Sequence, residues 1–599
     1  MKHTFLSTAV AAVMVLGNSA CDKKSEKGTA ENHAAVQSVP KVSIQASKSS
    51  FDKQIKILSE YGFEINKTSP KNYLLHVTNE KQATASLLKL INLNTIERED
   101  KEALYTLLKD AEIGVEIDWN KYASDTKESI FVYYLGNGKE GAAIKKLFHE
   151  KKIGAYLGYS HNQLKHIRVK NIDETLIDEE LKSHILLKGM HAEITHSPNK
   201  TSKESDYDLF GGIFEYTMKD RESNNTLILS YKEPVCNIVK KATYLGTHQC
   251  VFPSIALKVK NPSDKEAENI QITLKKSSFL YKTVSHNKKI RSDIDFNIDS
   301  VDIYGQSQTD KSELTIKDIK ITGNSDNIDE ALIQSYMDLL DNPSKEQNGS
   351  IRKLMDLTGK MYSNGMTFDY RVSVGSGKGE SKEAALTFEN YKSEGKGSLK
   401  STINYKDTSS LRHISLKDKK TGQSLFDLKN FRFGYGISEL YNFIPTFMEF
   451  SGALAEQNQS QTEELSTELE KKLTEMGMKL VHHGFGFSFT PIGWDTFQAE
   501  AQGKAVQLGK VDLSIDTRLK KNNVPLNANN PMSAMMLLPY FEADGKLVLS
   551  KKDLEQLSTT MPPQMIGMLM MFAKYEGENA VFILKFENGH LMINGQPLM

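Results

Sequence analysis

The chain has 599 residues and a formal net charge of zero, with 76 basic and 76 acidic side chains. This balance excludes the strong positive charge that is typical of nucleic-acid-binding proteins. Hydrophobic residues make up 39% of the chain and charged residues 25%, which is typical of a globular chain in water and too polar for a protein with many membrane spans. At roughly 100 to 200 residues per domain, the length predicts several domains with separate cores.

The first 20 residues have the composition of an export signal. A short basic start precedes an apolar stretch from about Phe5 to Gly17, and small residues follow it. This stretch is shorter than the ~20 residues needed to cross a bilayer. We therefore expect residues 1–20 to be a cleaved signal peptide.

Cys21 follows directly on this segment, and Ala20-Cys21 resembles the lipobox of bacterial lipoproteins, in which the cysteine is acylated and becomes the new N-terminus. Asn18 stands where that motif usually has Leu, so a conventionally cleaved signal with an incidental cysteine is the alternative. Residues 22–50 are rich in Lys, Ser, Ala and Glu, which predicts a disordered tether. Asp22 resembles the retention signal of enterobacterial lipoproteins and slightly favours the inner membrane.

Cys236 and Cys250 are the other two cysteines of the chain. An even pair in an exported protein predicts one disulfide. A metal site or a redox-active pair is the alternative. The long spacing differs from Cys-x-x-Cys, and His248 adds only one further ligand nearby.

The hydrophobic pattern predicts a β-rich α+β fold, in which long antiparallel strands with helical insertions follow the signal and the tether. Residues 51–200 mix helical and strand periodicity and are expected to form an α+β domain. Residues 201–435 are expected to form a β-rich domain with a helix pair, and residues 436–599 a C-terminal domain of helices and antiparallel sheet.

Local signals refine this division. The helix pair is predicted at Asn327–Leu340 and Ser350–Met361, and a further helix at Ser438–Leu454. Short glycine-rich segments at 375–379 and 395–397, together with Asn588-Gly589, are predicted to be tight turns between strands.

Two segments are candidates for an apolar or partner-binding surface. Leu465, Leu469 and Leu473 line one stripe of a predicted helix, which requires a partner surface. Met565 and Met568 belong to a methionine-rich segment. Its methionines have three alternative interpretations, namely plain core, an adaptable apolar surface, and a Cu(I) site.

The C-terminal part of the chain resembles a known family. The segment FEADGKLVLSKKDLEQL at 541–557 and the ending FENGHLMINGQPLM are similar to the YdgA-type family of bacterial envelope proteins of unknown function, over about residues 210–599. Gln596 replaces the usual Lys, and a lipobox replaces the uncleaved anchor that members usually have. The resemblance implies a periplasm-facing, membrane-tied protein with an elongated β-rich body, and it transfers no catalytic residue.

Motifs of catalysis are missing from the sequence. It contains no P-loop, no His-Glu-x-x-His and no Gly-x-Ser-x-Gly. His161 and His166 are predicted to be surface residues. We therefore expect no catalytic residue, no metal and no cofactor.

The function that these observations favour is that of a non-catalytic lipoprotein on the periplasmic side of the bacterial cell envelope. It would be anchored through acylated Cys21 and would bind an apolar ligand such as a lipid, or an envelope protein partner. A scaffolding protein that self-associates is the alternative, and a hydrolase with an unrecognised site is the minor one.

Overall fold

The computed structural model describes residues 44–84, 111–124, 128–135, 152–160, 163–177, 181–195, 205–240, 245–261, 269–307, 310–341, 347–459, 467–501, 504–525, 535–557 and 570–598, with residues 105, 108, 109 and 567 between them. The predicted signal peptide and Cys21 lie outside these residues. The chain forms two compact units, residues 1–271 (unit 1) and residues 272–599 (unit 2).

Unit 1 is built mainly of short antiparallel strands. Helix α1 spans Ile44–Ile55, continues as a 3-10 helix over Lys56–Tyr61 and ends at Gly62 in the left-handed conformation, and α2 spans Trp119–Ala123. The strands are β1 (Phe63–Lys67), β2 (Asn72–Val77), β3 (Glu112–Ile117), β4 (Ile130–Tyr134), β5 (Ile153–Ser160), β6 (Gln163–Val169), β7 (Ile172–Ile177), β8 (Leu181–Lys188), β9 (His191–Thr195), β10 (Ser205–Phe210), β11 (Ile213–Asp220), β12 (Thr226–Lys232), β13 (Val235–Lys240) and β14 (Gly246–Lys260).

The strand pairings among the described residues of unit 1 are antiparallel. They run β1-β2-β3-β4-β5-β6-β9-β10-β13-β14, and β14 also pairs with β12, followed by β11, β8 and β7. Helix α1 packs on helix α2 through Phe51, whose ring lies 5.8 Å from both Trp119 and Tyr122 in edge-to-face geometry. The same ring lies 5.5 Å from Tyr73 on β2. Phe51 and Ile55 are buried in the core. The helix begins at Ile44, within the segment for which the sequence predicts a tether.

The two cysteines meet on adjacent strands of unit 1. Cys236 on β13 lies directly opposite Cys250 on β14, and their sulfur atoms are 2.17 Å apart, at disulfide distance. The pairing that the sequence predicts therefore agrees with the register of the two strands.

Unit 2 contains long strands of 15 to 19 residues, shorter strands of 2 to 10 residues and a group of helices. The strands are β15 (Asn269–His286), β16 (Lys289–Gln306), β17 (Lys311–Asp329), β18 (Met366–Glu380), β19 (Ala384–Leu399), β20 (Thr402–Asp418), β21 (Ser424–Tyr441), β22 (Phe485–Trp494), β23 (Thr496–Ala501), β24 (Lys504–Leu508), β25 (Val511–Leu519), β26 (Phe541–Ser550), β27 (Lys574–Glu576), β28 (Asn579–Glu587), β29 (His590–Ile593) and β30 (Gln596–Pro597). The helices are α3 (Glu330–Asp341), α4 (Gln347–Ser363), α5 (Ile444–Gln459), α6 (Thr467–His483) and α7 (Lys551–Leu557), with a 3-10 helix at Leu538–Tyr540.

The strands of unit 2 form an antiparallel sheet. Its order is β16-β17-β18-β19-β20-β21-β22-β25-β26-β28-β29-β30. At about 3.3 Å per residue, the 18 residues of β16 extend roughly 60 Å. The large antiparallel sheet with few helices agrees with the β-rich fold class predicted from the alternating pattern.

Helices α3 to α6 lie at one end of the long strands. The predicted helix pair is confirmed as α3 and α4, but α5 begins only at Ile444, because Ser438–Tyr441 still belongs to strand β21. Asn442 marks this change. Its side chain donates hydrogen bonds to the carbonyls of Tyr362 and Lys400, and its oxygen accepts one from Ile444 N.

Two of the three predicted turns are wrong. Residues 375–379 lie inside β18 and residues 395–397 inside β19. Gly377 and Gly397 are needed there because a Cβ would meet the ring of Phe388 or Phe368 at under 3 Å. The turn at Asn588-Gly589 is confirmed, and both of its residues have positive φ.

A row of left-handed residues crosses the long strands. Asp318, Asn390 and Asn430 have φ of 56°, 51° and 52° on every second strand, β17, β19 and β21, and bridge pairs are skipped there from β16 to β21. At this row the apolar side chains are three residues apart instead of two, as from Phe431 to Leu428. The left-handed residue interrupts the regular alternation of side chains. Apolar side chains that are three residues apart therefore still point to the same face.

Candidate ligand-binding surface

The sheet of unit 2 has one apolar and one polar face. Side chains that lie directly opposite each other on paired strands point to the same face. The register therefore defines the apolar face by Ile294, Ile298, Ile319, Ile321, Phe368, Tyr370, Val372, Tyr405, Phe433, Tyr435, Ile437, Phe487, Phe489, Leu513 and Ile515.

Several side chains of the apolar face remain in contact with solvent. Ile294 is 43% exposed, Ile321 37%, Phe487 37% and Phe489 39%. Contiguous exposed apolar surface is uncommon on soluble proteins and marks sites of interaction. The apolar face is therefore the candidate binding surface of unit 2.

A hydrogen-bonded cluster lies within this apolar face. The carboxylate of Asp407 is 4% exposed, and its Oδ2 accepts hydrogen bonds from the hydroxyls of Tyr370 and, at 3.3 Å, Tyr405. Tyr435 donates to the Tyr405 hydroxyl at 3.5 Å, and Ser409 Oγ lies 3.4 Å from Asp407 Oδ1. Hydroxyl groups thus replace the water that a carboxylate loses on burial.

A glycine makes this cluster geometrically feasible. Gly395 separates Tyr370 from Asp407 in the same cross-strand row, and a Cβ at Gly395 would lie 2.5 Å from the Tyr370 ring. The absence of a side chain lets the tyrosine ring cross the intervening strand to reach the carboxylate.

The surroundings change the acidity of the two phenols. Burial and the hydrogen bond to the Asp407 carboxylate raise the pKa of Tyr370. Burial is the largest cause that raises the pKa of Tyr405, and the hydrogen bonds with Tyr370 and Tyr435 raise it further. Both phenols therefore keep their protons, and remain donors to Asp407, at neutral pH.

Of the five residues predicted from the sequence to form an apolar or partner-binding surface, the structure describes two, Leu469 and Leu473. Leu465, Met565 and Met568 lie outside the described residues. Leu469 and the half-buried Leu473 belong to α6, which contacts α5 and strand β21 at the helical end of unit 2.

Four described methionines, in or upstream of the methionine-rich segment, are exposed. Met570 is 40% exposed, Met571 67%, Met535 55% and Met536 53%. These four side chains therefore do not belong to a core in the described part of unit 2.

Sequence reasoning missed the tyrosine cluster. Tyr370 belongs to an alternating run that correctly predicts a strand, but its partners Tyr405 and Asp407 are 35 and 37 residues away in the sequence. An acidic residue among the apolar positions of β20 was the one available signal.

A polar cluster is also present in unit 1. The prediction that His166 is a surface residue is wrong, since it is 5% exposed and its Nδ1 lies 3.1 Å from Glu193 Oε1. Burial follows from its place on β6, which pairs with both β5 and β9. The Arg168 guanidinium donates to Glu128 and lowers the pKa of that carboxyl. His161 lies outside the described residues.

The described residues contain neither a cluster of metal ligands nor a helix suited to cross a bilayer. No group of three or more His, Cys, Asp or Glu side chains there is arranged to hold a metal ion. None of the helices in this part of the chain combines the length and the apolar composition needed to cross a bilayer.

No family model, curated protein or solved structure matches the chain.

Proposed function

We propose that the chain is a non-catalytic, periplasm-facing envelope lipoprotein, anchored through acylated Cys21, that binds a lipid acyl chain along the apolar face of unit 2. The proposal includes the relationship to the YdgA-type family. The observation on which it depends most is the solvent contact of side chains in the middle of a long apolar face, Phe487 and Phe489 above all.

The chemistry of the face supports an apolar ligand. The transfer of apolar surface out of water contributes about 25 cal/mol per Å², so a long hydrocarbon chain that covers several half-exposed rings gains substantial affinity. The polar groups of Asp407 and its neighbours are already hydrogen-bonded to one another. The cluster therefore does not require a polar ligand group to satisfy it.

A protein partner, or a second copy of the chain, could cover the same face in place of a lipid. A scaffolding role would be favoured by an apolar face that is closed and fully packed. The exposed fractions of Ile294 and Ile321, 43% and 37%, favour a face that is open to a ligand.

Native purification with lipid analysis tests the proposal. The Cys21→Ser chain, which has no acylation site, should be purified from the periplasmic fraction, and the molecules that remain bound should be extracted and identified by mass spectrometry. The proposal predicts a near-stoichiometric lipid. A protein in its place would support the partner hypothesis, and a lipid-free oligomer would support scaffolding.

The anchor has a separate test. Metabolic labelling with a fatty acid should mark the wild-type chain and not Cys21→Ser. Equal labelling of both chains would contradict the anchor but leave the ligand-binding proposal intact, because the ligand is sought in the chain that has no anchor.

A further inference from the structure

The polar face of unit 2 contains an open groove of about 780 Å³. Its floor consists of Gly436 and Ser488, which lie opposite each other on β21 and β22. Lys406 lies opposite Gly436 on one side, and Asp516 lies opposite Ser488 on the other. A lysine and an aspartate thus flank a strip of small side chains.

Two lysines lie side by side at one margin of this groove. Lys396 on β19 is directly opposite Lys406 on β20, and both are exposed. Directly opposite side chains have Cβ atoms about 4.5–5.5 Å apart, and like charges in such pairs destabilise a sheet. The arrangement therefore costs stability unless an anion compensates it.

Two carboxylates, Asp369 and Asp516, also line the groove. Asp369, opposite Lys396 on β18, accepts a hydrogen bond from Asn324 at 2.6 Å. Within the described residues, neither Lys396 nor Lys406 forms an ion pair. By contrast, Arg371 and Glu394, one row along on the same face, are 3.6 Å apart.

Hydroxyl groups complete the lining. Ser438, Ser488 and Thr490 lie along the groove, and each hydroxyl is able to donate one hydrogen bond. Two adjacent ammonium groups match the charge of a phosphate monoester, and charge-assisted hydrogen bonds to phosphate are stronger than neutral ones.

We propose that Lys396 and Lys406 bind the phosphate group of a ligand whose polar remainder lies over Gly436 and Ser488. The basis of the proposal is that two adjacent lysines, which form no ion pair within the described residues, line a groove together with several hydroxyl groups. Functional sites are where proteins retain locally unfavourable arrangements. The groove lies on the face opposite the apolar face, so this site does not depend on the acyl-chain proposal.

The test compares the wild-type chain with Lys396→Gln, Lys406→Gln and the control Lys392→Gln. Lys392 is exposed on the same strand and does not line the groove. Inorganic phosphate titrated by calorimetry should bind the wild type, and each groove variant should weaken binding about tenfold, the typical loss for a charge-assisted hydrogen bond. The control should bind like the wild type.

Thermal unfolding distinguishes binding from a structural role. Since each groove variant removes a like-charge contact, its midpoint without phosphate should equal or exceed that of the wild type, while stabilisation by added phosphate should be lost. A groove variant that unfolds earlier without phosphate would point to a structural role and overturn the proposal.

Vesicles identify the source of the phosphate. Binding to phosphatidic acid vesicles that is lost in both groove variants would assign the site to a lipid headgroup, and binding of inorganic phosphate alone would assign it to a soluble ligand. The proposal is overturned if neither probe binds the wild type, or if Lys392→Gln weakens binding as much as the groove variants do.

Discussion

Single residues with unusual surroundings determine how the apolar face is built. Asp407 is a buried carboxylate whose hydrogen bonds come from tyrosine and serine hydroxyls. Tyr370 and Tyr405 can donate hydrogen bonds to this carboxylate only while their hydroxyl groups are protonated. The stability of unit 2 is therefore coupled to the ionisation of Tyr370 and Tyr405, whose pKa values are both raised.

This coupling predicts a loss of stability at alkaline pH. Because the folded pKa values lie above the unfolded value of about 10, the contribution of the two phenols to the free energy of unfolding should be constant below that pH and fall above it. Urea unfolding between about pH 9 and pH 11 measures the fall. It should be smaller in Tyr370→Phe than in the wild type. An equal fall in both would show that the phenol does not contribute.

Gly395 provides the second prediction at this scale. Gly395→Ala should lower the free energy of unfolding by about 1–3 kcal/mol, because the new methyl group displaces the Tyr370 ring. Gly477→Ala in α6 is the matched control. Open space surrounds that position, and alanine should stabilise the helix by about 0.4–1 kcal/mol. A similar effect at both positions would contradict the account.

The strands of unit 2 show what the sequence predicts and what it does not. Alternation along Phe368–Val374 predicts a strand correctly, since periodicity is a local property. The role of Gly395 and Gly397 was missed because it depends on rings from a neighbouring strand. When the neighbouring strand is not known, a cluster of glycines in the sequence indicates a turn.

The row of left-handed residues that crosses the long strands gives a prediction at Asn390. Asn390 has a φ of 51°, a conformation that costs a β-branched residue roughly 1–3 kcal/mol. Asn390→Val should therefore lower the free energy of unfolding by about that amount, whereas Asn390→Gly should change it by less than about 0.5 kcal/mol. Chemical denaturation checks both, and equal stabilities would contradict the assigned conformation.

At the scale of the whole molecule, strand pairing decides the organisation. The sequence suggested boundaries near residues 200 and 435, where polar segments or helices interrupt the strand pattern. In the structure, β9 pairs with β10 across the first position, and β21 continues through the second. Sequence periodicity shows where strands occur but not which strands pair, so the domain division stays a prediction.

The binding of a pyrene-labelled fatty acid to the purified Cys21→Ser chain tests the central claim most directly. Phe487 and Phe489 point to the apolar face, whereas Ser488 between them points to the polar face. The double variant Phe487→Ser/Phe489→Ser should weaken binding by about tenfold or more, as expected for the loss of two half-exposed rings, and Ser488→Ala should bind like its parent. Unchanged affinity in the double variant, or no binding to the parent chain, would contradict the account.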